Sequence, residues 1–196
     1  MSRFHDYLRD KALVRPEHLE KLCSGCLSNR TVKKGKILLM KDELCKHTFF
    51  VESGLLRMYS IDGKGKEHII QFAPEDWFVS DRSSIYFGQK SEYFIDAIED
   101  SVLSVLDPQY FEDANNISPE FRTYNDYLLQ NHIRHLQDRV NMLIGANAQD
   151  RYIEFLRLYP DLTQRVPQWM IASYLGITAE SLSRVRKEMA THRTLI

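Results

Sequence analysis

The 196-residue sequence is poor in cysteine, in long apolar runs and in surplus charge of either sign, and each shortage excludes a class of protein. Three cysteines do not make a disulfide scaffold in a chain of this length. No apolar run reaches the roughly 18 residues that cross a bilayer, and Met1–Asp6 lacks the apolar core of a signal peptide. Because 43% of the residues are hydrophobic and the net charge is -1, long disorder is excluded too. We expect a cytoplasmic globular protein without a membrane partner.

The small net charge hides an uneven distribution along the chain. Residues 41–120 carry 7 basic and 16 acidic side chains, whereas residues 161–196 carry 5 and 3. Proteins that bind nucleic acid concentrate positive charge where they touch it. The middle of the chain is therefore a poor candidate for such contact, and the C-terminal end is a mildly basic one.

The middle of the chain is typical of short strands separated by turns. Apolar segments that predict strands occupy residues 36–40, 49–51, 55–61, 67–72, 93–98 and 102–106. Gly54 and Asp62-Gly63 mark turns, because glycine adopts positive φ without steric cost. Several short strands at this spacing predict an antiparallel sandwich or barrel.

A long helix is predicted to follow the strands. Ser118 is a suitable N-cap and Pro119 a suitable first helical residue, and no glycine or proline follows before Ile144. Five apolar residues repeat along it at the coiled-coil spacing of four and three: Leu129, Ile133, Leu136, Val140 and Leu143. This stripe indicates a dimer seam, or else a face that packs on its own domain. The predicted α+β layout is therefore residues 1–117 as a β domain, 118–145 as a dimerisation helix and 146–196 as a helical domain.

The segment from Val166 to Arg186 has the pattern of a helix-turn-helix. Gly176 ends the first helix and Thr178 caps the second, while Leu182 and Val185 face inward. An outward Glu can accept from a cytosine amino group, and an outward Arg can donate twice to guanine. The predicted DNA contacts are Gln168, Thr178, Ala179, Glu180, Ser181, Ser183, Arg184 and Lys187. The alternative is a helical hairpin with a surface ion pair from Glu180 to Arg184.

Over nearly its full length the chain resembles the Crp/Fnr family of bacterial transcription regulators, particularly Bacteroidetes-type members. The resemblance is carried by residues 171–184 and by the strand–glycine–strand segment 49–57. It implies a cyclic-nucleotide-binding-like jelly roll, a long dimerisation helix and a winged helix-turn-helix. It also places Glu180 and Arg184 on the base-contacting Glu and Arg of the family. The implied partners are double-stranded DNA with an inverted-repeat site, a second copy of the chain and RNA polymerase.

The first departure from the family lies in the cyclic-AMP cassette. Val79 and Ser80 replace its Gly-Glu pair, and Lys90 and Glu92 replace its Arg and Ala. Negative charge from Asp81 and Glu92 then stands where a phosphate needs donors. We predict no cyclic nucleotide, and a different ligand or none in that place. The candidate effector pocket is lined by Trp77, Phe78, Ser80, Arg82, Lys90 and Ser91.

The second departure concerns metal ligands and cofactors. Iron–sulfur members use four cysteines, whereas this chain has Cys23-x-x-Cys26 and Cys45, with His47 as a conceivable fourth ligand. The alternative is ordinary reduced thiols, and the pair His132 and His135 is typical of a helix surface. We predict no iron–sulfur cluster, no other metal and no cofactor.

The third departure is the short stretch after Arg186, which predicts a shortened or absent wing. Arg186, Lys187, His192 and Arg193 are then candidates for phosphate contacts.

Two other functions are alternatives to DNA binding. One is a ligand sensor that acts through protein–protein interaction with a degenerate DNA-binding domain. The other is a cupin-type enzyme, which the absence of a His-x-His pair disfavours, so we predict that the chain is not an enzyme.

Overall fold

The computed structural model describes residues 2–25 and 28–193, and only the backbone of residues 192 and 193. Cys26 and the terminal residues Thr194, Leu195 and Ile196 lie outside the described residues, so the expectations for Cys26 and for the wing are not addressed. The chain divides into two units. The first comprises Met1–Lys66 and Ile70–Asn131, and the second comprises Glu67–Ile69 and His132–Ile196.

The described residues of the first unit, together with the start of β5 from the second, form four helices and eight strands. They are α1 (Arg3–Asp10), α2 (Pro16–Ser24), β1 (Ser28–Val32), β2 (Ile37–Leu39), β3 (Thr48–Ser53), β4 (Leu56–Ile61), β5 (Glu67–Ala73), β6 (Phe78–Val79), α3 (Arg82–Phe87), β7 (Phe94–Ala97), β8 (Ser101–Leu106) and α4 (Pro108–Ile117). All six predicted strands are confirmed to within a few residues. The strands β1 and β6 and the helices α1, α2 and α3 were not predicted.

The strands form two four-stranded sheets of a jelly-roll type. One has the order β1-β8-β3-β6 and the other the order β2-β7-β4-β5. In the antiparallel β3–β8 pair, Phe49 lies opposite Val105. Fully buried residues of both sheets share one core, among them Val51 and Leu103 from the first sheet and Ile95 from the second. Alternate residues of β3 enter two different cores, since Phe49 and Val51 lie in this one and Phe50 lies in a second core with the N-terminal helices.

Gly54 is the turn residue that the jelly roll requires between β3 and β4. Its φ is +93°, in the left-handed region, and a Cβ added there would lie 2.3 Å from the Ser101 hydroxyl oxygen. Leu55, the next residue, donates its N–H to that same hydroxyl at 3.2 Å. A side chain at position 54 would therefore both strain the backbone and displace Ser101.

The long helix α5 (Pro119–Gly145) begins where the cap predicts. The Ser118 hydroxyl accepts from the Phe121 N–H at 3.2 Å, which satisfies one free donor of the first turn. Phe121 is buried in an aromatic cluster with Phe4, Tyr7 and Phe50. The Tyr124 hydroxyl donates a hydrogen bond to the Tyr7 hydroxyl at 2.9 Å.

None of the helices in the described part of the chain is both long and apolar enough to span a membrane.

The second unit contains four helices after α5. They are α6 (Ala148–Leu158), α7 (Leu162–Arg165), α8 (Gln168–Leu175) and α9 (Ala179–Arg193). Its core includes the fully buried Phe155, Ile171 and Leu182. The Arg151 guanidinium donates to the carbonyls of Leu143, Ala146 and Leu175, each at 3.0 Å. Arg151 thus satisfies free carbonyls at the C-terminal ends of both α5 and α8.

Candidate nucleic-acid interface

The turn between α8 and α9 has the geometry that its residues predict. Gly176 follows α8 at φ +67°, the left-handed conformation that commonly terminates a helix. The Thr178 hydroxyl accepts from the Ser181 N–H at 3.2 Å and lies at hydrogen-bond distance, 3.2 Å, from the Ser181 hydroxyl. Thr178 therefore caps α9, and its hydroxyl and that of Ser181 bond to each other.

The helix α9 separates an inward face from an outward one. Leu182 and Val185 are buried, whereas the predicted contact residues Ala179, Glu180, Ser183, Arg184 and Lys187 are exposed. The helix runs to Arg193.

The cations of α9 are not neutralised by neighbouring carboxylates. Within the part of the chain that the structure describes, Arg184, Arg186 and Lys187 make no ion pair and no side-chain hydrogen bond. Glu180 does not pair with Arg184, because its carboxylate bonds to its own backbone N–H and to the Thr178 hydroxyl. Those two bonds lower the pKa of Glu180, so the group is ionised at neutral pH.

A cavity of about 230 Å³ adjoins this face of α9. It is lined by Gln168, the first residue of α8, together with Ala179, Ser183 and Arg186. The Gln168 side-chain oxygen is buried and has no hydrogen-bond partner among the described residues. Residues 179, 183 and 186 share one helix face, since they are four and three positions apart. That spacing places Arg186 on this face, although we had considered it only as a substitute for the wing.

The segment that corresponds to the family cassette, residues 79–92, is occupied by internal hydrogen bonds. The Asp81 carboxylate accepts from the N–H groups of Ser83 and Ser84 at 2.9 and 3.3 Å. The buried Ser91 hydroxyl donates to the Tyr93 carbonyl and accepts from the Tyr93 N–H. Glu92 forms an ion pair with Lys41 at 3.1 Å. The amides of Ser83 and Ser84 and the Ser91 hydroxyl are thus already bonded, and the carboxylates of Asp81 and Glu92 stand in the same segment. These residues do not fit that group.

The structure separates the other predicted pocket residues. Phe78 packs at a ring-centroid distance of 5.0 Å on Phe50, in the aromatic cluster of the first unit. Arg82 is exposed and lies 4.8 Å from the ring centre of Tyr86. Trp77 packs against the core of the sandwich, Ser80 is half-buried, and Lys90 is exposed.

The predicted dimer seam lies on an exposed face of α5. Leu129, Ile133, Leu136, Val140 and Leu143 have exposed fractions from 38% to 56%. A separate stripe of the same helix, including Phe121, Leu128 and Met142, is buried or half-buried. Helix α5 thus has one apolar face that packs within the chain and a second one that does not.

The two described cysteines are protonated thiols. Burial raises the pKa of Cys45, and burial followed by the charge of Glu52 raises that of Cys23. Cys45 donates its thiol to the carbonyl of His47 at 3.3 Å. Among the described residues, no three Cys, His, Asp or Glu side chains are grouped so that they could hold a metal ion.

Residues 29–116 match the family of cyclic nucleotide-binding domains. The chain is also similar to the fumarate and nitrate reduction regulatory protein of Vibrio cholerae, with 25% identity over 80% of this chain and 66% of the relative. The protein of the same name from Escherichia coli K12 is 25% identical over 86% of this chain and 72% of the relative. The chain therefore spans about two thirds of the length of these curated relatives.

Two solved structures are similar in fold. FixK2 from Bradyrhizobium japonicum has a TM-score of 0.70 and 21% identity, covering 84% of this chain and 85% of that one. The Thermus thermophilus catabolite activator protein has a TM-score of 0.56 and 20% identity, covering 91% and 84%. The domain match, the similar regulators and the similar solved structures all point to one type of protein. The long helix and the C-terminal helices of this chain fit that type. The chain is therefore similar to transcription regulators of the Crp/Fnr type, through its cyclic nucleotide-binding domain at residues 29–116 and through its fold.

Proposed function

We propose that the protein is a homodimeric transcription regulator that binds specific sequences of double-stranded DNA through α9. The observation that carries the proposal is the exposed face of α9, on which Arg184, Arg186 and Lys187 have no partner among the described residues. An exposed guanidinium without an internal partner is available to bond to a phosphate or a base. The family relatives are regulators too, and we propose no enzymatic activity.

Glu180 and Arg184 are the proposed readers of sequence. They lie one helical turn apart on the first two turns of α9, the part of a recognition helix that reaches base edges. Arg184 would donate to guanine O6 and N7, and the ionised Glu180 would accept from a cytosine amino group. Ser183 and Lys187 flank them, and Gln168 at the start of α8 is placed to contact the DNA backbone.

The proposed dimer forms through the exposed stripe of α5. A second copy of the chain is the occupant that fits this stripe, because its four-and-three spacing is that of two helices packed along a shared seam. Five apolar side chains at least 38% exposed are costly to leave in water along one helix. The dimer would hold two copies of α9 about 34 Å apart, which predicts an inverted-repeat site.

We further propose that the protein does not respond to cyclic AMP. The support is the cassette segment, where the Asp81 carboxylate accepts hydrogen bonds from the first amides of α3 and Glu92 forms an ion pair with Lys41. A cyclic phosphate would have to displace these bonds and approach two carboxylates. RNA polymerase remains a further proposed partner, by similarity to regulators of that type.

Selection of bound duplexes from random DNA tests the proposed function. The expected result is an enriched inverted repeat whose half-sites are centred about one helical turn apart. No enrichment at low salt, together with retained dimerisation, would contradict DNA binding. That outcome would favour the second candidate, a sensor that acts through protein–protein interaction.

A further inference from the structure

The cavity between the start of α8 and α9 has a lining that favours an anion. Its four lining residues, Gln168, Ala179, Ser183 and Arg186, include a cation and no acidic residue. Ser183 and Arg186 are exposed, and neither side chain makes a hydrogen bond or an ion pair among the described residues. A free guanidinium with a free hydroxyl on the same helix face supplies the donors that a phosphate oxygen accepts.

The acidic residues of the two helices do not line this cavity. Helix α8 contains none, and α9 contains Glu180 and Glu188. The Glu180 carboxylate bonds to its own N–H and to the Thr178 hydroxyl. Glu188 is two residues beyond Arg186, which places it about 160° away around the helix axis. The positive charge of Arg186 therefore faces the cavity without a carboxylate in its lining.

Arg186 lies on a flank of α9, away from the residues proposed to read bases. At about 100° per residue, it is roughly 160° from Arg184 and roughly 120° from Glu180 around the helix axis. It therefore cannot reach the base edges in front of those two side chains. A recognition helix in the major groove has the bases before it and the sugar–phosphate backbones at its flanks. A cation on the flank meets the backbone.

We infer that this cavity is a seat for one phosphate of the DNA backbone, bound by Arg186 and Ser183 on α9 and by Gln168 on α8. The Gln168 oxygen is buried, so the NH₂ end of this carboxamide is the end left to serve a ligand. The inference rests on the proposed function and adds to it a contact that carries no base information. Such a contact fixes the position of α9 in the groove.

A set of modified duplexes tests the seat. Each copy of the selected duplex carries one neutral methylphosphonate in place of one backbone phosphate, and fluorescence anisotropy measures its affinity for the full chain. The wild type should lose about threefold to tenfold at each phosphate that it contacts. For Arg186→Ala, one of these positions in each half-site should become insensitive, whereas the others should keep their effect. Because Arg186 is exposed, this variant should fold as the wild type does.

Two further variants make the assignment specific. Lys187→Ala, one residue along and pointing elsewhere, should keep the sensitivity at that position. Arg186→Lys should restore part of it, because an ammonium group binds phosphate as a point charge. The seat is overturned if Arg186→Ala keeps every sensitivity of the wild type, or if Lys187→Ala loses the same one. A wild type that binds no selected duplex would overturn DNA binding itself, and the seat with it.

A free phosphate has the same chemistry as the backbone and is distinguished by a separate titration. Inorganic phosphate is added to the full chain, and the amide NMR signals of Ala179, Ser183 and Arg186 are followed. We expect no saturation up to about 10 mM, because a few donors on an open surface bind a single hydrated anion weakly. Saturation below that concentration would make the cavity a site for small phosphorylated molecules and would overturn its assignment to DNA.

Discussion

The cassette segment and the helix α9 treat their polar groups in opposite ways. In residues 79–92, the Asp81 carboxylate accepts hydrogen bonds from the amides of Ser83 and Ser84, and the Glu92 carboxylate forms an ion pair with Lys41. On α9, by contrast, Arg184 and Lys187 are exposed and make no side-chain bond within the described residues. In the first region the amides at the start of α3 and the carboxylate of Glu92 are bonded within the chain, whereas the cations Arg82 and Lys90 are exposed. The second has the residues of a surface that meets an anion.

This difference bears on which of the two regions can bind an anion. A bonded donor must first lose its partner before it can serve a ligand, and the net gain from such an exchange is small. A free guanidinium gives up only water when it binds a phosphate or a guanine. The geometry of the donors, more than the fold that carries them, therefore underlies our proposal that α9 binds the anion. The following predictions test this comparison, beginning with the largest effect.

Breaking the dimer seam should have the largest effect on DNA binding. Leu136→Glu places a charge in the middle of the proposed seam, so the protein should become monomeric in analytical ultracentrifugation. Loss of the second DNA-binding unit should then weaken binding to the selected duplex about 100-fold to 10,000-fold. Gln137→Glu adds the same charge one residue away and should change neither property. A dimeric Leu136→Glu protein would show that the seam lies elsewhere.

Removing the proposed base contact should have the next largest effect. Arg184→Ala should weaken binding to the selected duplex by roughly 10-fold to 100-fold per half-site, because a bidentate contact discriminates by about 1–3 kcal/mol. Binding to random duplex should change much less, as measured by fluorescence anisotropy. The control is Arg157→Ala, an exposed arginine on α6 that is paired with Glu154. Equal losses for both variants would contradict a specific role for Arg184.

A phosphate contact should have a smaller and more uniform effect. Lys187→Ala should weaken binding to selected and random duplexes alike, by about threefold to tenfold. It should also reduce the slope of log affinity against log salt by about 1 for each contact removed. Lys33→Ala, at an exposed lysine that pairs with Asp100, should leave the slope unchanged. A loss confined to the selected duplex would instead make Lys187 a reader of sequence.

The cassette segment should give the smallest effect of all. Addition of cyclic AMP should produce no heat in calorimetry and no change in DNA affinity, because the first amides of α3 are already bonded to Asp81 and the carboxylates of Asp81 and Glu92 would repel a phosphate. Asp81→Asn and Glu92→Gln remove the two carboxylates and should not create binding either, since Ser80 and Lys90 still replace the family residues. Binding of cyclic AMP by the wild type would erase the contrast between the two regions.

The sequence predicted most of the strands and the longer helices, but it missed α1 and α2, although Phe4, Tyr7 and Leu8 are buried on α1 and Leu19 and Leu22 on α2. The other missed elements have no such apolar pattern. The strand β1, Ser-Asn-Arg-Thr-Val, is exposed at four of its five residues, and its pairing with β8 holds it in place. The strand β6 has two residues and α7 has four, which is too short for a periodic pattern. Tertiary pairing creates these elements, so local residue preferences do not reveal them.

The candidate interface followed the same division. Helical periodicity was enough to place Glu180 and Arg184 outward and Leu182 inward. The same rule, applied three positions on from Ser183, would have placed Arg186 beside Gln168. No sequence pattern indicates that Asp81 bonds the amides of α3, because that depends on contacts made only in the folded chain.

The most direct test of the central claim is selection from random duplex DNA carried out in parallel with the wild type and Arg184→Ala. The account predicts an inverted repeat for the wild type, with half-sites about 34 Å apart. For Arg184→Ala it predicts the same repeat with one symmetric pair of guanine positions degenerate. Identical motifs for both proteins, or no motif for the wild type, would contradict the claim that α9 reads DNA sequence through this arginine.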